Sequence, residues 1–213
     1  MKNFNILIGA GGHAKVILDI LSSKQIKIDL IVAPKIDKSY EPFKKIEHHE
    51  NDAKVLDYQA KEVSLINGLG FIPGDNKRKY IYEKFTDIGY KFLTIISNDA
   101  IISETATISN GVQIFPGSII NANSYVGSNS IINSGSIIEH DSKIGENSHI
   151  APGATIAGNV VCEDDVFIGA GATIINDLLI GRGSLIGAGS MVNKNILSES
   201  KVFAAKPLVT EKS

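Results

Sequence analysis

Several things that would narrow a search are missing from these 213 residues. There is one cysteine, Cys162, so no intrachain disulfide can form, which agrees with a reducing compartment. Neither sign of charge dominates: 21 Lys and Arg stand against 23 Asp and Glu, a net charge of -2. With no broad basic field, duplex nucleic acid and an anionic membrane surface are not expected partners. No apolar run approaches the length that spans a bilayer, and the N-terminus lacks a signal-peptide core, so the expectation is a cytoplasmic protein. Histidine is scarce too, with five in the chain. What is present is ordinary for a soluble globular protein, 43% hydrophobic and 21% charged, enough to bury a core in one or two domains.

The organising feature is a repeat. From Ala100 to about Asn195 the chain divides without remainder into six-residue blocks, such as SIINSG, SIIEHD and SKIGEN, whose third residue is almost always a branched apolar side chain. Ile132, Ile138, Ile144, Ile150 and Ile156 are five in succession. A period of six fits neither an α-helix nor a lone alternating strand; it fits a coil whose short flat sides each supply one inward Ile and then turn a corner. Small residues such as Ser130, Ser136 and Ser142 open many blocks, and Gly or Asn often closes them, as corners with unusual φ require. Cys162 occupies one of the inward positions, where a thiol fills space as a small hydrophobe.

Before the repeat, apolar Phe4 to Ile8 leads into GAGGHA (Gly9 to Ala14) and then into a segment whose Val16, Ile17, Ile20 and Leu21 recur at helical spacing. This is strand, glycine loop, helix. Further strands are predicted at Ile28 to Val32, Val63 to Ile66 and Phe92 to Ile96, with a second helix over Lys77 to Ile88 and a solvated loop carrying His48 and His49. The alternation implies a small parallel α/β domain. GAGGHA satisfies the dinucleotide fingerprint only in form, because the second strand runs out in Ala33 and Pro34 instead of the acidic residue that holds a ribose. What survives is a backbone that anions can approach closely at Gly11 and Gly12 and a helix N-terminus that favours a phosphate. The expected division is an α/β domain over residues 1–98, a β-helix over 99–197 and an irregular tail over 198–213, docked by Phe203 and Leu208.

Two histidines fall in the repeat. In SIIEHD, Glu139, His140 and Asp141 sit at a corner, where side chains face outward; in SHIAPG, His149 is at the second position, opposite in sense to the inward third. Both imidazoles are therefore expected on the outside of one 18-residue coil. Spacing alone also fits two solvated residues. The His140–Asp141 pair adds chemistry, because a carboxylate beside an imidazole raises its pKa and fixes its tautomer, as a general base needs.

GAGGHAKV together with IINSGSIIEHDSKIGENSHIAPGATIAGNV resembles a family of sugar acetyltransferases. It includes bacterial 4-amino-4,6-dideoxy-sugar N-acetyltransferases and sialic acid O-acetyltransferases, and the resemblance spans nearly the whole chain. It implies a Rossmann-like α/β domain followed by a left-handed parallel β-helix, a homotrimer, and acetyl-CoA bound between neighbouring helices with no metal. By position, it implies His140 as general base and Asp141 as its acidic neighbour. Asn133 is a polar residue on the preceding coil side, and His13, with Gly11 and Gly12, lies near the acceptor sugar. His149 and the Gly158 amide touch the thioester end of the coenzyme, and Ala170 and Ala188 contact its pantetheine arm. The acceptor implied is a nucleotide-linked 4-amino-4,6-dideoxy sugar, with O-acetylation of sialic acid as the alternative. Relatives that bind uridine nucleotides carry two aspartates where this chain has Ala33 and Pro34, which leaves the nucleotide open. Phe203 to Pro207 lacks the glycine of the family's C-terminal segment.

Two other classes compete. A zinc hydratase on a trimeric β-helix needs three histidines around the metal, whereas the repeat holds two. A non-catalytic carbohydrate-binding trimer would need only the repeat.

Overall fold

The structure, a computed structural model, describes residues 4–204. Its N-terminal domain is a four-stranded parallel sheet of β1 (Phe4–Ile8), β2 (Leu30–Val32), β3 (Glu47–His49) and β4 (Val63–Asn67), in the order β3-β2-β1-β4. Alternate strand residues face opposite ways, so each side of the sheet needs its own cover. Leu7, Ile31 and Ile66 pack on α1 (Gly12–Ser23) through Ala14, Ile17 and Leu21. Ile6, Leu30 and Leu65 face the other way. There they meet Ile81 and Phe85 of α3 (Lys77–Thr86), while the short α2 (Glu41–Lys44) sends Phe43 to the α1 side. The expected loop carrying His48 and His49 is in part an edge strand, and the His48 Nε2–H donates to the Ala33 carbonyl at 2.8 Å.

The hexads wind into a left-handed parallel β-helix of two-residue strands in three sheets. The first face stacks Ile95–Ile96, Gln113–Ile114, Ile131–Ile132, His149–Ile150, Phe167–Ile168, Leu185–Ile186 and Lys201–Val202. The second includes Ile119–Ile120, Ile137–Ile138 and Thr155–Ile156; the third includes Tyr125–Val126, Lys143–Ile144 and Val161–Cys162. Registers advance by three blocks, so Ile132 lies on Ile114 and under Ile150. From Ile114 to Val192 the inward residues are at most 2% exposed. Each such Ile contributes roughly 1.5–3 kcal/mol of burial. The block-opening serines close the polar ledger: Ser130, Ser142 and Ser118 each donate a hydroxyl to a turn carbonyl that no strand would satisfy.

Each edge of the prism turns at residues with φ near +60°, and the edge from the third face back to the first mixes Gly111 and Gly183 with Asn129, Asn147 and Asp165. Gly117, Gly135, Gly153, Gly171 and Gly189 turn the edge between the first and second faces. Asn123, Asp141, Asn159 and Asp177 turn the edge between the second and third. Asn and Asp are the side chains that best tolerate this region.

Two segments differ from expectation. The run Phe92 to Ile96 divides: Phe92 bridges Leu65 in the α/β sheet, while Ile95–Ile96 is already the first rung of the helix. At the other end, within the expected tail, Lys201–Val202 pairs with Leu185–Ile186. Phe203, expected to dock, is 72% exposed; Leu208 lies outside the described residues.

Candidate active site

His140 precedes the left-handed Asp141, so the edge throws its side chain outward; it is 63% exposed. The His140 Nδ1–H donates to Asp141 Oδ2 at 2.8 Å, and the other Asp141 oxygen accepts from Asn123 Nδ2 at 2.7 Å, one coil below. With Nδ1 so engaged, Nε2 carries the lone pair and has no protein partner among the described residues. The hydrogen-bonded carboxylate holds His140 above the ordinary histidine value, with the charges of Asp141, Glu139 and Asp177 adding to the effect. One coil above, Gly158 lies against the ring: a Cβ there would come within 2.8 Å of Cε1 and Nε2. The Gly158 N–H donates to no carbonyl of the described chain, so an exposed imidazole nitrogen and a free amide share one small surface.

His149 departs from the expectation that both imidazoles decorate the outside of the coil. It does point away from the helix axis, but the α/β domain covers it, leaving it 8% exposed. Phe71, from the loop after β4, meets its ring edge to face at 5.7 Å, and Phe167 does so at 5.3 Å. Its Nε2 faces Asn133 Nδ2 at 3.1 Å. Burial, followed by the charges of His13 and Arg78, lowers its pKa to about 3, so it is a neutral imidazole. The two histidines also lie apart. His149 is on the first face, whereas His140 is on the edge shared by the second and third, and in a triangular prism that edge is opposite the first face.

The α/β domain is clamped to this first face. Gln113 Nε2 donates to the Asn67 carbonyl at 2.8 Å, and Asn67 Nδ2 reaches Asn129 Oδ1 at 3.2 Å. The buried Arg78 guanidinium donates to the carbonyls of Asn67, Leu69 and Asn129, joining both domains. Lys79 pairs with Asp165 at 2.9 Å. His13, the second residue of α1, lies at this seam with its ring stacked on Phe115 (5.1 Å) and its Nε2 2.7 Å from Gln113 Oε1. Burial and the Arg78 charge lower its pKa to about 4.

Gly11 and Gly12 open α1, and a Cβ built on either meets nothing within 4 Å. The backbone there is bare to an approaching anion, with no acidic side chain in the first helical turn. Beside the loop a cleft of about 760 Å³ opens at the carboxyl ends of β1 and β2, lined by Gly9, Ala33, Pro34, Glu50, Leu69 and Tyr80 among others. Ligands of parallel sheets bind at such ends, near the point where strand order reverses.

The structure thus brings together His140, Asp141 and Gly158 in one group, and His13, Asn133 and His149 at the domain seam in another. Ala170 and Ala188 stack one coil apart beside Gly171 and Gly189, on the glycine edge and away from Gly158. Sequence reading missed Gln113, Arg78 and Phe71, which have no local signature: Gln113 occupies an outward block position like any other, and its partners are 46 and 100 residues away. Cys162 is buried and its thiol is pushed up to about 12, so it is no nucleophile. Among the described residues no cluster of three or more His, Cys, Asp or Glu could hold a metal ion, and no helix is long and apolar enough to cross a membrane.

The stacked coil carries a carboxylate-oriented imidazole on its edge, and residues 124–158 and 159–194 match the bacterial transferase hexapeptide family (six repeats). Residues 6–85 match the PglD N-terminal domain. With both parts accounted for, the chain is a CoA-dependent acetyltransferase in which a PglD-type N-terminal domain precedes a hexapeptide-repeat β-helix. No curated protein matches it by sequence. Among solved structures it is similar to PerB from Caulobacter crescentus in complex with CoA and GDP-perosamine, with 26% identity over 95% of each chain and a TM-score of 0.84. A mutant of that GDP-perosamine N-acetyltransferase, in the same complex, gives 25% identity over 95% of this chain and 94% of that one, also at 0.84. The acetyltransferase domain of PglB from Neisseria gonorrhoeae, in complex with acetyl coenzyme A, shares the fold at 23% identity, 98% and 100% coverage and a TM-score of 0.85.

Proposed function

We propose that the chain transfers the acetyl group of acetyl-CoA to the 4-amino group of a nucleotide-linked 4-amino-4,6-dideoxy sugar, in sites shared between the subunits of a homotrimer. The observation that carries the trimer is the opposition of His140 to the α/β domain of its own chain. An acceptor held at Gly11, Gly12 and His13 is on the first face, so the His140 that serves it comes from a neighbour. The second face supplies a surface for that association: Ile101, Ile119, Ile137 and Met191 point outward along it, and Ile101 and Met191 are well exposed. The GDP-perosamine bound to the Caulobacter relative supports an amino-sugar nucleotide as acceptor. The cleft beside the glycine loop accommodates the nucleotide, with the pyrophosphate at the N-terminus of α1.

In the reaction, the sugar amine attacks the thioester carbonyl. As the C–N bond forms, His140 Nε2 takes the amine proton, and Asp141 stabilises the imidazolium that results. The carbonyl oxygen gains charge beside the Gly158 N–H, a contribution of about 3 kcal/mol for one well-aimed donor. The tetrahedral intermediate then expels the CoA thiolate, which His140 reprotonates. General-base assistance of this kind supplies roughly two to four powers of ten. His149 and Asn133, with Ala170 and Ala188, line the path of the coenzyme from a neighbouring helix.

The test is turnover of acetyl-CoA, read as free thiol, against 4-amino-4,6-dideoxy sugars on guanosine, thymidine and uridine diphosphates, with free sialic acid alongside. Turnover of at least one amino-sugar nucleotide is expected. Preference for sialic acid over all of them would replace N-acetylation by O-acetylation.

A further inference from the structure

We infer that Gln113 is a positioning residue that fixes the tautomer of His13, leaving His13 Nδ1 as a standing hydrogen-bond acceptor for a hydroxyl of the acceptor sugar. The tautomer half stands on the geometry; the sugar half rests on the acceptor reading above.

The assignment follows from what each group can do. The Asn67 carbonyl only accepts, so the Gln113 atom 2.8 Å from it is the amide nitrogen. That turns Gln113 Oε1 toward His13 Nε2 at 2.7 Å. A carboxamide oxygen also only accepts, so His13 Nε2 carries the proton. A neutral imidazole has one N–H, which leaves the lone pair on Nδ1. Nδ1 lies beside Gly70, 4.0 Å from where a Cβ would stand, and has no protein partner among the described residues. The Phe115 ring stacked on the imidazole, 26° from parallel, holds its plane. Gln113 is itself fully buried, tied to both domains and unable to turn over without setting its own carbonyl oxygen against that of Asn67.

The charged and titratable groups facing His13 are Arg78 from α3 and His149 from the first face of the helix. Arg78 has only carbonyl partners here, so no carboxylate offsets its charge and the neutral form of His13 is favoured. The same reasoning gives His149 the opposite tautomer. The Ser134 N–H donates to Asn133 Oδ1 at 2.8 Å, so Asn133 presents its NH2 to His149 Nε2, and the His149 proton is on Nδ1. That Nδ1 is buried with no partner.

Two experiments test this. Nitrogen-15 spectra of the wild-type protein with labelled histidine, His13 being assigned by loss of its signals in His13→Gln, are expected to show a protonated Nε2 and a bare Nδ1. The reverse tautomer, or an imidazolium at neutral pH, overturns the inference without any substrate. Gln113→Glu keeps an acceptor against Nε2 but stabilises the imidazolium, which destroys the Nδ1 acceptor. The ratio of variant to wild-type acceptor KM is expected to rise about tenfold as pH falls from about 8 to about 6, with acetyl-CoA KM unmoved. A ratio independent of pH overturns the role of Gln113, as loss of stability alone would give no titration. If the tautomer is as stated but His13→Ala leaves acceptor KM unchanged, the sugar contact falls, whereas the acceptor reading of the domain falls only if Gly11→Val leaves acceptor KM unchanged as well.

Discussion

Gly158→Ala is a small change with a calculable effect. The added Cβ would stand 2.8 Å from His140 Nε2 and Cε1, whereas carbon contacts normally begin near ~3.5 Å. The ring must therefore retreat by about 0.7 Å. Being 63% exposed, it can do so without disturbing the core. Fold stability should change by no more than about 0.5 kcal/mol, as at other surface sites, or roughly 1–2 °C in Tm. Catalysis should respond far more, because the retreat moves Nε2 away from the amine and strains the 2.8 Å bond to Asp141. A misplacement of 1 Å can cost about a hundredfold, so kcat should fall by roughly ten- to a hundredfold. Acetyl-CoA KM should change little, because the backbone N–H at this position remains. Steady-state kinetics beside a thermal melt separates the two effects. Wild-type kcat in a folded Gly158→Ala protein would refute the placement of the ring at the reacting centre.

His140→Ala should lower kcat by roughly two to four powers of ten while acetyl-CoA still binds by calorimetry, and near-native turnover would remove His140 from the mechanism. A base must be unprotonated. Because Asp141 raises the pKa of His140, kcat/KM should rise with pH through an inflection above 6.5, the ordinary histidine value. Asp141→Asn, which keeps a residue suited to the left-handed corner, should move that inflection down and cost less than loss of the imidazole. Gly11→Val should fold normally, since its side chain enters open space, and should raise acceptor KM far more than acetyl-CoA KM. Cys162 should resist iodoacetamide in the folded protein at neutral pH, given its burial and its thiol pushed up to about 12; rapid alkylation with loss of activity would contradict its place in the core.

Where a feature depends on neighbours in sequence, the chain declares it. The inward Ile of each hexad and the Gly, Asn and Asp at its corners are set by a local period, and so is the outward throw of His140, one residue before such a corner. His149 shows the limit of that reasoning. Its alternation gives the correct direction, away from the axis, but nothing nearby states that Phe71, 78 residues earlier, will lie over it. Gln113 and Arg78 were illegible for the same reason, since their roles exist only once the two domains meet. Ile95 and Ile96 were misassigned because two apolar residues look alike in either sheet until their pairing partner, Gln113–Ile114, is known.

The shared site between subunits is tested most directly by mixing two defective chains. His140→Ala lacks the base, and a Gly11→Val/His13→Ala chain lacks the acceptor site; each alone should be nearly inactive. Co-expressed in equal amounts and purified through two tags, every hybrid trimer places an intact base next to an intact acceptor domain at one of its three interfaces, about a third, as the arithmetic of a closed cyclic assembly requires. Recovery of about a third of wild-type turnover is the expected result. Activity no higher than the sum of the separate variants would show that base and acceptor site belong to one chain, and the placement of catalysis between subunits would be wrong.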